Sequence, residues 1–153
     1  MRALVAGVGN RYMGDDGFGP RVVERLSELN LPENVEVRDV GLCGFTLAVE
    51  LDQYDLLVLV DALKMGASAG KIYCEKIEGV IEADLSSITI HDAGVRELLA
   101  FAKKIGTLPA DVYLVGCEIS QITLQEGLSP PVEAAVDDAV RVILRLLYRQ
   151  SEG

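Results

Sequence analysis

Three short segments of this chain concentrate side chains able to bind or activate a ligand. The first is Gly7-Val8-Gly9-Asn10 followed by Gly14-Asp15-Asp16-Gly17-Phe18-Gly19. The second is Asp61, which closes the apolar run DLLVLV. The third is Thr89-Ile90-His91-Asp92. A carboxylate at the end of an apolar run must be solvated in a cleft or paired, because burying it alone is costly. Asp15 and Asp16 both precede a helical stretch. One Asp suffices to cap a helix; assigning the cap to Asp15 leaves Asp16 for chemistry. His91 is the only histidine. Each residue alone has an ordinary structural explanation, as turn, cap or core residue. Two carboxylates and one imidazole at one edge suit a borderline divalent ion such as nickel or zinc. Three protein ligands would leave positions open for water or substrate.

Other chemistries fit less well. Gly7 and Gly9 begin a dinucleotide fingerprint, but GxGxxG requires glycine where Tyr12 stands. Two adjacent aspartates would also repel a pyrophosphate approaching the helix start. No GxSxG accompanies His91, so a Ser-His-Asp set is not evident. Cys43 is an imaginable nucleophile, yet nothing near it in the sequence would lower its pKa.

The formal net charge is −10, and Lys103-Lys104 is the nearest approach to a basic cluster. Binding to phosphate backbones depends on clustered Lys and Arg, which argues against nucleic acid and against an anionic membrane surface. A cation or a basic partner protein fits the field better. Cys43, Cys74 and Cys117 are odd in number and form no CxxC pair, which argues against a disulfide framework and a zinc ribbon. Cys74 and Cys117 lie in apolar runs and are expected to be reduced core residues, as in a cytoplasmic protein. The run Ala3–Val8 after Met1-Arg2 is too short for a signal peptide. No apolar stretch reaches the 18 or so residues that a membrane span needs.

The elements that must position these residues follow from hydrophobic periodicity. Ala3–Val8 and Asp55–Val60 read as buried strands, Val35–Val40 as an alternating strand, and Asp111–Glu118 as a further strand. Lys71–Ile77 alternates as a half-exposed strand at or near a sheet edge would. Gly17–Leu29 has helical spacing at Phe18, Val22, Leu26 and Leu29, and Phe45–Leu51 could form a short helix. The stretch from His91 to Lys104 puts Val95, Leu98, Leu99 and Ala102 on one face. Pro131–Tyr148 is the longest helix, with a stripe of Val132, Val136, Val140, Ile143, Leu144 and Leu147. Strands alternating with helices imply an α/β fold: a three-layer α/β/α arrangement around a mostly parallel sheet of about five strands. Residues 1–153 show no linker or repeat and are expected to form a single domain. In such sheets ligands bind beyond the C-terminal strand ends, where all three polar segments fall.

The pattern GVGNxxxGDDGFG, then DxGxxG at Asp39–Gly44, then LLVLVDA, then a late His before a helix, resembles the hydrogenase maturation endopeptidases. The resemblance covers nearly the whole chain in the right order. It implies a peptidase that removes a C-terminal extension from the large-subunit precursor of a nickel–iron hydrogenase after nickel insertion. It further implies that Asp16, Asp61 and His91 match the family's metal-contacting and catalytic positions, with Asp16 standing where Glu is common, and that Asp39 matches a further family Asp. Nickel would arrive with the precursor, and zinc could substitute. The rival readings are a noncatalytic nickel-sensing or chaperone module for hydrogenase assembly and a small nucleotide-binding α/β protein.

Overall fold

The computed structural model describes residues 1–42, 45–77, 93–120 and 122–152. Apolar runs too short for helices pair side by side and bury both faces, which makes the sheet. Its strands are β1 (Ala3–Val8), β2 (Val35–Gly41), β3 (Leu56–Leu63), β4 (Ile72–Ile77) and β5 (Asp111–Glu118), in the order β2-β1-β3-β5-β4. The first four in that order are parallel, and β4 is antiparallel to β5 at the edge. The helices are α1 (Phe18–Ser27), α2 (Phe45–Glu50), α3 (Ala93–Ile105) and α4 (Pro130–Glu152).

Strand alternation splits the core in two. Ala3, Val5, Leu56, Val58 and Val60 face α1 and α4, whereas Leu4, Ala6, Val8, Leu57, Leu59 and Leu63 face the α2 and α3 side. The three-layer α/β/α expectation is thereby met. The α4 stripe is buried along Val132, Val136, Val140, Ile143 and Leu147, with Leu144 only partly covered. Pro130 and Pro131 open α4 where the N–H that proline lacks would have no intrahelical acceptor; the Ser129 carbonyl accepts the first available amides, from Val132 and Glu133.

Three expectations change. Strand β3 runs to Leu63, so Asp61 lies inside it and not after it. The extra length comes from β5, which pairs Asp61 with Gly116, Ala62 with Cys117 and Leu63 with Glu118. Cys74 is exposed on the edge strand β4, and only Cys117 joins the core; an edge strand has one neighbour to cover it, whatever its local hydropathy. Helix α1 begins at Phe18, after a 3-10 turn at Gly14–Gly17 that holds both Asp15 and Asp16. Among the described residues no helix is long and apolar enough to cross a membrane.

Candidate functional site

The C-terminal end of β1 turns sharply at Gly9, whose φ of 133° favours glycine. A Cβ at Gly9 would also lie 2.0 Å from the Asp16 carbonyl oxygen. The chain must therefore be bare at Gly9 for the Asp16 turn to fold back onto the strand. The Asn10 amide then donates to Asp16 Oδ2 at 2.9 Å. Among the described residues Asp16 Oδ1 has no donor, so one oxygen is oriented and the other is available. A half-buried carboxylate held in this way is suited to ligating a cation.

Gly19 brings this turn to β3. A Cβ there would lie 2.4 Å from both the Val60 and Val8 carbonyl oxygens. Helix α1 thus sits directly on β1 and β3, and the Asp16 turn contacts β3. Asp61 follows Val60 and is 1 % exposed. By strand alternation it lies on the face shared by Leu59 and Leu63, the α2 and α3 side. Its Oδ1 accepts the Ala62 amide at 2.8 Å. The residue opposite it in β5 is Gly116, so no side chain from β5 crowds that position.

His91 lies outside the described residues, as do Cys43 and Gly44. Helix α3, which begins two residues after His91, packs Val95, Leu98, Leu99 and Ala102 on the sheet face that carries Asp61. Its last residue, Ile105, leads back to the start of β5, so its first turn points to the opposite, C-terminal edge. Among the described residues no three His, Cys, Asp or Glu side chains are grouped as a metal site.

Asp15 does not cap α1, which has no side-chain cap. It is 3 % exposed and accepts the Ser129 amide at 2.7 Å and the Ser129 hydroxyl at 2.8 Å. A residue that reads as a local cap is a long-range tie between the first turn and the start of α4. Asp39 accepts the Gly41 amide at 3.0 Å and pairs with Arg11 at 3.5 Å, so it fixes the β2 turn against the β1 loop.

Glu118, which sequence reasoning passed over, is the third buried carboxylate beside Asp15 and Asp61 among the described residues, at 2 % exposure. It accepts the Met65 and Gly66 amides at 2.9 and 3.3 Å and the Tyr73 hydroxyl at 2.8 Å. Burial pushes its carboxyl pKa up, but the amides of Met65, Ala67 and Gly66 and the Tyr73 hydroxyl outweigh burial and hold it below the ordinary value. Glu118 therefore clamps the segment that follows Asp61. The signal was present: Glu118 ends an apolar run, VYLVGC, just as Asp61 ends DLLVLV.

Comparison with known proteins decides the family. Residues 20–146 match the family model described as hydrogenase maturation protease. The chain belongs to that family. It is a peptidase, and the match spans Asp39, Asp61 and His91 while starting just after Asp16. The hydrogenase 2 maturation protease of Escherichia coli is 32 % identical over 149 residues, which cover 96 % of this chain and 91 % of that protein. The solved structure of the hydrogenase maturating endopeptidase HybD from E. coli superimposes with a TM-score of 0.86 at 30 % identity, over 98 % of this chain and 94 % of that one. A hydrogenase 2 maturation peptidase from a Thaumarchaeota archaeon is 43 % identical with a TM-score of 0.77, over 96 % and 98 % of the two chains.

Proposed function

We propose that this maturation protease removes the C-terminal extension of a nickel–iron hydrogenase large-subunit precursor after nickel insertion, and that it recognises the nickel through Asp16, Asp61 and His91. The observation that supports the reading is the packing of the Asp16 turn against β3, the strand that carries Asp61, enforced by Gly9 and Gly19. The donor set of two carboxylates and an imidazole suits nickel, with zinc as a substitute. The nickel belongs to the substrate; when present it supplies Lewis acidity and lowers the pKa of a bound water. The Asn10 amide fixes Asp16 Oδ2, which would leave the second oxygen to hold the ion. Asp61 presents its carboxylate from a strand buried on both faces, so it loses little conformational freedom on binding. Only a loaded precursor brings the cation that balances these two charges, which makes cleavage conditional on metal insertion. The setting is the cytoplasm, where the precursor is assembled.

The test is the mass of a co-expressed, nickel-loaded precursor after incubation with this protein. Loss of the C-terminal extension supports the reading. An unchanged mass with the loaded precursor, or equal cleavage of loaded and metal-free precursor, overturns it.

A further inference from the structure

The turn that presents Asp16 is held from outside as well as by its own neighbours. It is a 3-10 turn, Gly14–Gly17, and such a turn rotates successive residues by about 120°. Gly14, Asp15 and Asp16 therefore face three directions from one short frame. Two of the three are fixed by residues that lie between β5 and α4. The Gly14 amide donates to the Gln125 carbonyl at 2.7 Å. A Cβ on Gly14, where φ is 61°, would lie 2.5 Å from Thr123 Oγ1. Asp15 accepts the Ser129 amide at 2.7 Å and the Ser129 hydroxyl at 2.8 Å. Asp16 faces back to the β1 loop, where the Asn10 amide donates to it at 2.9 Å.

Asp15 is the stronger of the two outside anchors. Its carboxylate is 3 % exposed, so little water competes for it. Ser129 immediately precedes α4, and its carbonyl accepts the first amides of that helix. The carboxylate thus meets the positive end of a 23-residue helix, and hydrogen bonds to a charged acceptor are stronger than neutral ones. The turn's own bonds are weaker. The geometry of 3-10 hydrogen bonds is poor, and the Asp16 amide reaches the Met13 carbonyl at 3.2 Å. Without Asp15 the turn is free to shift, and Asp16, the next residue, shifts with it. A misplacement of about 1 Å at a reacting centre can cost about a hundredfold in rate.

We infer that Asp15, held by Ser129, is a positioning residue for Asp16, so that the start of α4 sets where the candidate ligand stands. The inference rests on the function proposed above. Its test uses the full chain and two readouts. One is the amide proton resonance of Asn10, which reports the hydrogen bond to Asp16 and needs neither nickel nor precursor. The other is kcat/KM on the nickel-loaded precursor, followed by mass. Asp15→Ala, Ser129→Ala and Asp15→Asn are compared with Ile143→Ala, a buried truncation in α4 that destabilises the fold without touching the turn. All are measured at a temperature where circular dichroism shows them folded. Asp15→Ala is expected to displace the Asn10 resonance and to lower kcat/KM at least about tenfold. Ser129→Ala, which removes one of the two donors, should do both to a lesser degree and serves alone if Asp15→Ala does not fold. Asp15→Asn, whose amide can satisfy both Ser129 groups, should restore both readouts. Ile143→Ala should leave both with the parent despite its lower stability. If the parent cleaves and folded Asp15→Ala leaves the Asn10 resonance in place, or kcat/KM within about twofold, the positioning role is refuted while the proposed function stands. Equal effects from Ile143→Ala would reduce Asp15 to a stabilising residue and overturn the inference. If the parent does not cleave the loaded precursor, the proposed function falls and the positioning role with it.

Discussion

Replacing Glu118 by Gln isolates the charge of the clamp behind Asp61. The amide keeps the shape, and its oxygen still accepts from Met65 and Gly66. Each of those bonds changes from a charged acceptor to a neutral one, a loss of about 1 kcal/mol per bond. The two amides at 2.9 and 3.3 Å give about 2 kcal/mol in all. For a chain of this size that corresponds to a fall of about 4–8 °C in Tm. The effect must depend on pH with a fixed sign. The folded carboxyl pKa lies below the ordinary value, and the unfolded one near about 4.3. The folded state therefore binds fewer protons, and the carboxylate's contribution is fully present above the unfolded pKa. It is lost as pH falls through the folded pKa. Urea denaturation of parent and variant, in buffers from neutral to strongly acid, reads the difference directly. The gap should be about 2 kcal/mol near neutrality and close toward zero in acid. A gap of equal size at both ends, or none near neutrality, would refute the clamp's dependence on charge.

Asp15→Ala should cost about 3 kcal/mol, because it strands the Ser129 amide and hydroxyl at a buried junction; Asp15→Asn should cost distinctly less, since its amide can satisfy both, and chemical denaturation separates the two. Gly19→Ala should destabilise by about 3 kcal/mol and reduce precursor processing, since its Cβ meets two strand carbonyls at 2.4 Å and must lift α1 off the sheet; a variant with parental Tm would contradict that packing. Asp16→Asn and Asp61→Asn should each abolish processing of the nickel-loaded precursor with circular dichroism unchanged. Cys43→Ser should remain active, and its failure alone would point to a thiol nucleophile.

Periodicity and composition alone determined most of the architecture. Runs such as LLVLV are too apolar for a surface and too short for a buried helix pair, so the strands, the helices between them and the three layers were legible before any coordinates. The order of GVGN, the paired aspartates, LLVLVDA and the late His carried the family; Asp61 stood out because a carboxylate ending an apolar run needs a reason, and Asp16 because one of two adjacent aspartates suffices for a cap. Tertiary structure decided whatever depended on partners distant in sequence. Asp15 looked like a helix cap because its neighbours in the chain begin a helix, but its acceptor pair is taken up 114 residues away by Ser129. Asp61 looked like a strand terminus until β5 extended the pairing past it. Cys74 looked buried because local hydropathy does not say that β4 is an edge strand. Glu118 became a clamp only when the β3–β4 turn folded its amides onto it. Periodicity measures which way a side chain faces along its own element. Which element arrives on that side is fixed by packing, and hydrogen-bond partners are fixed with it.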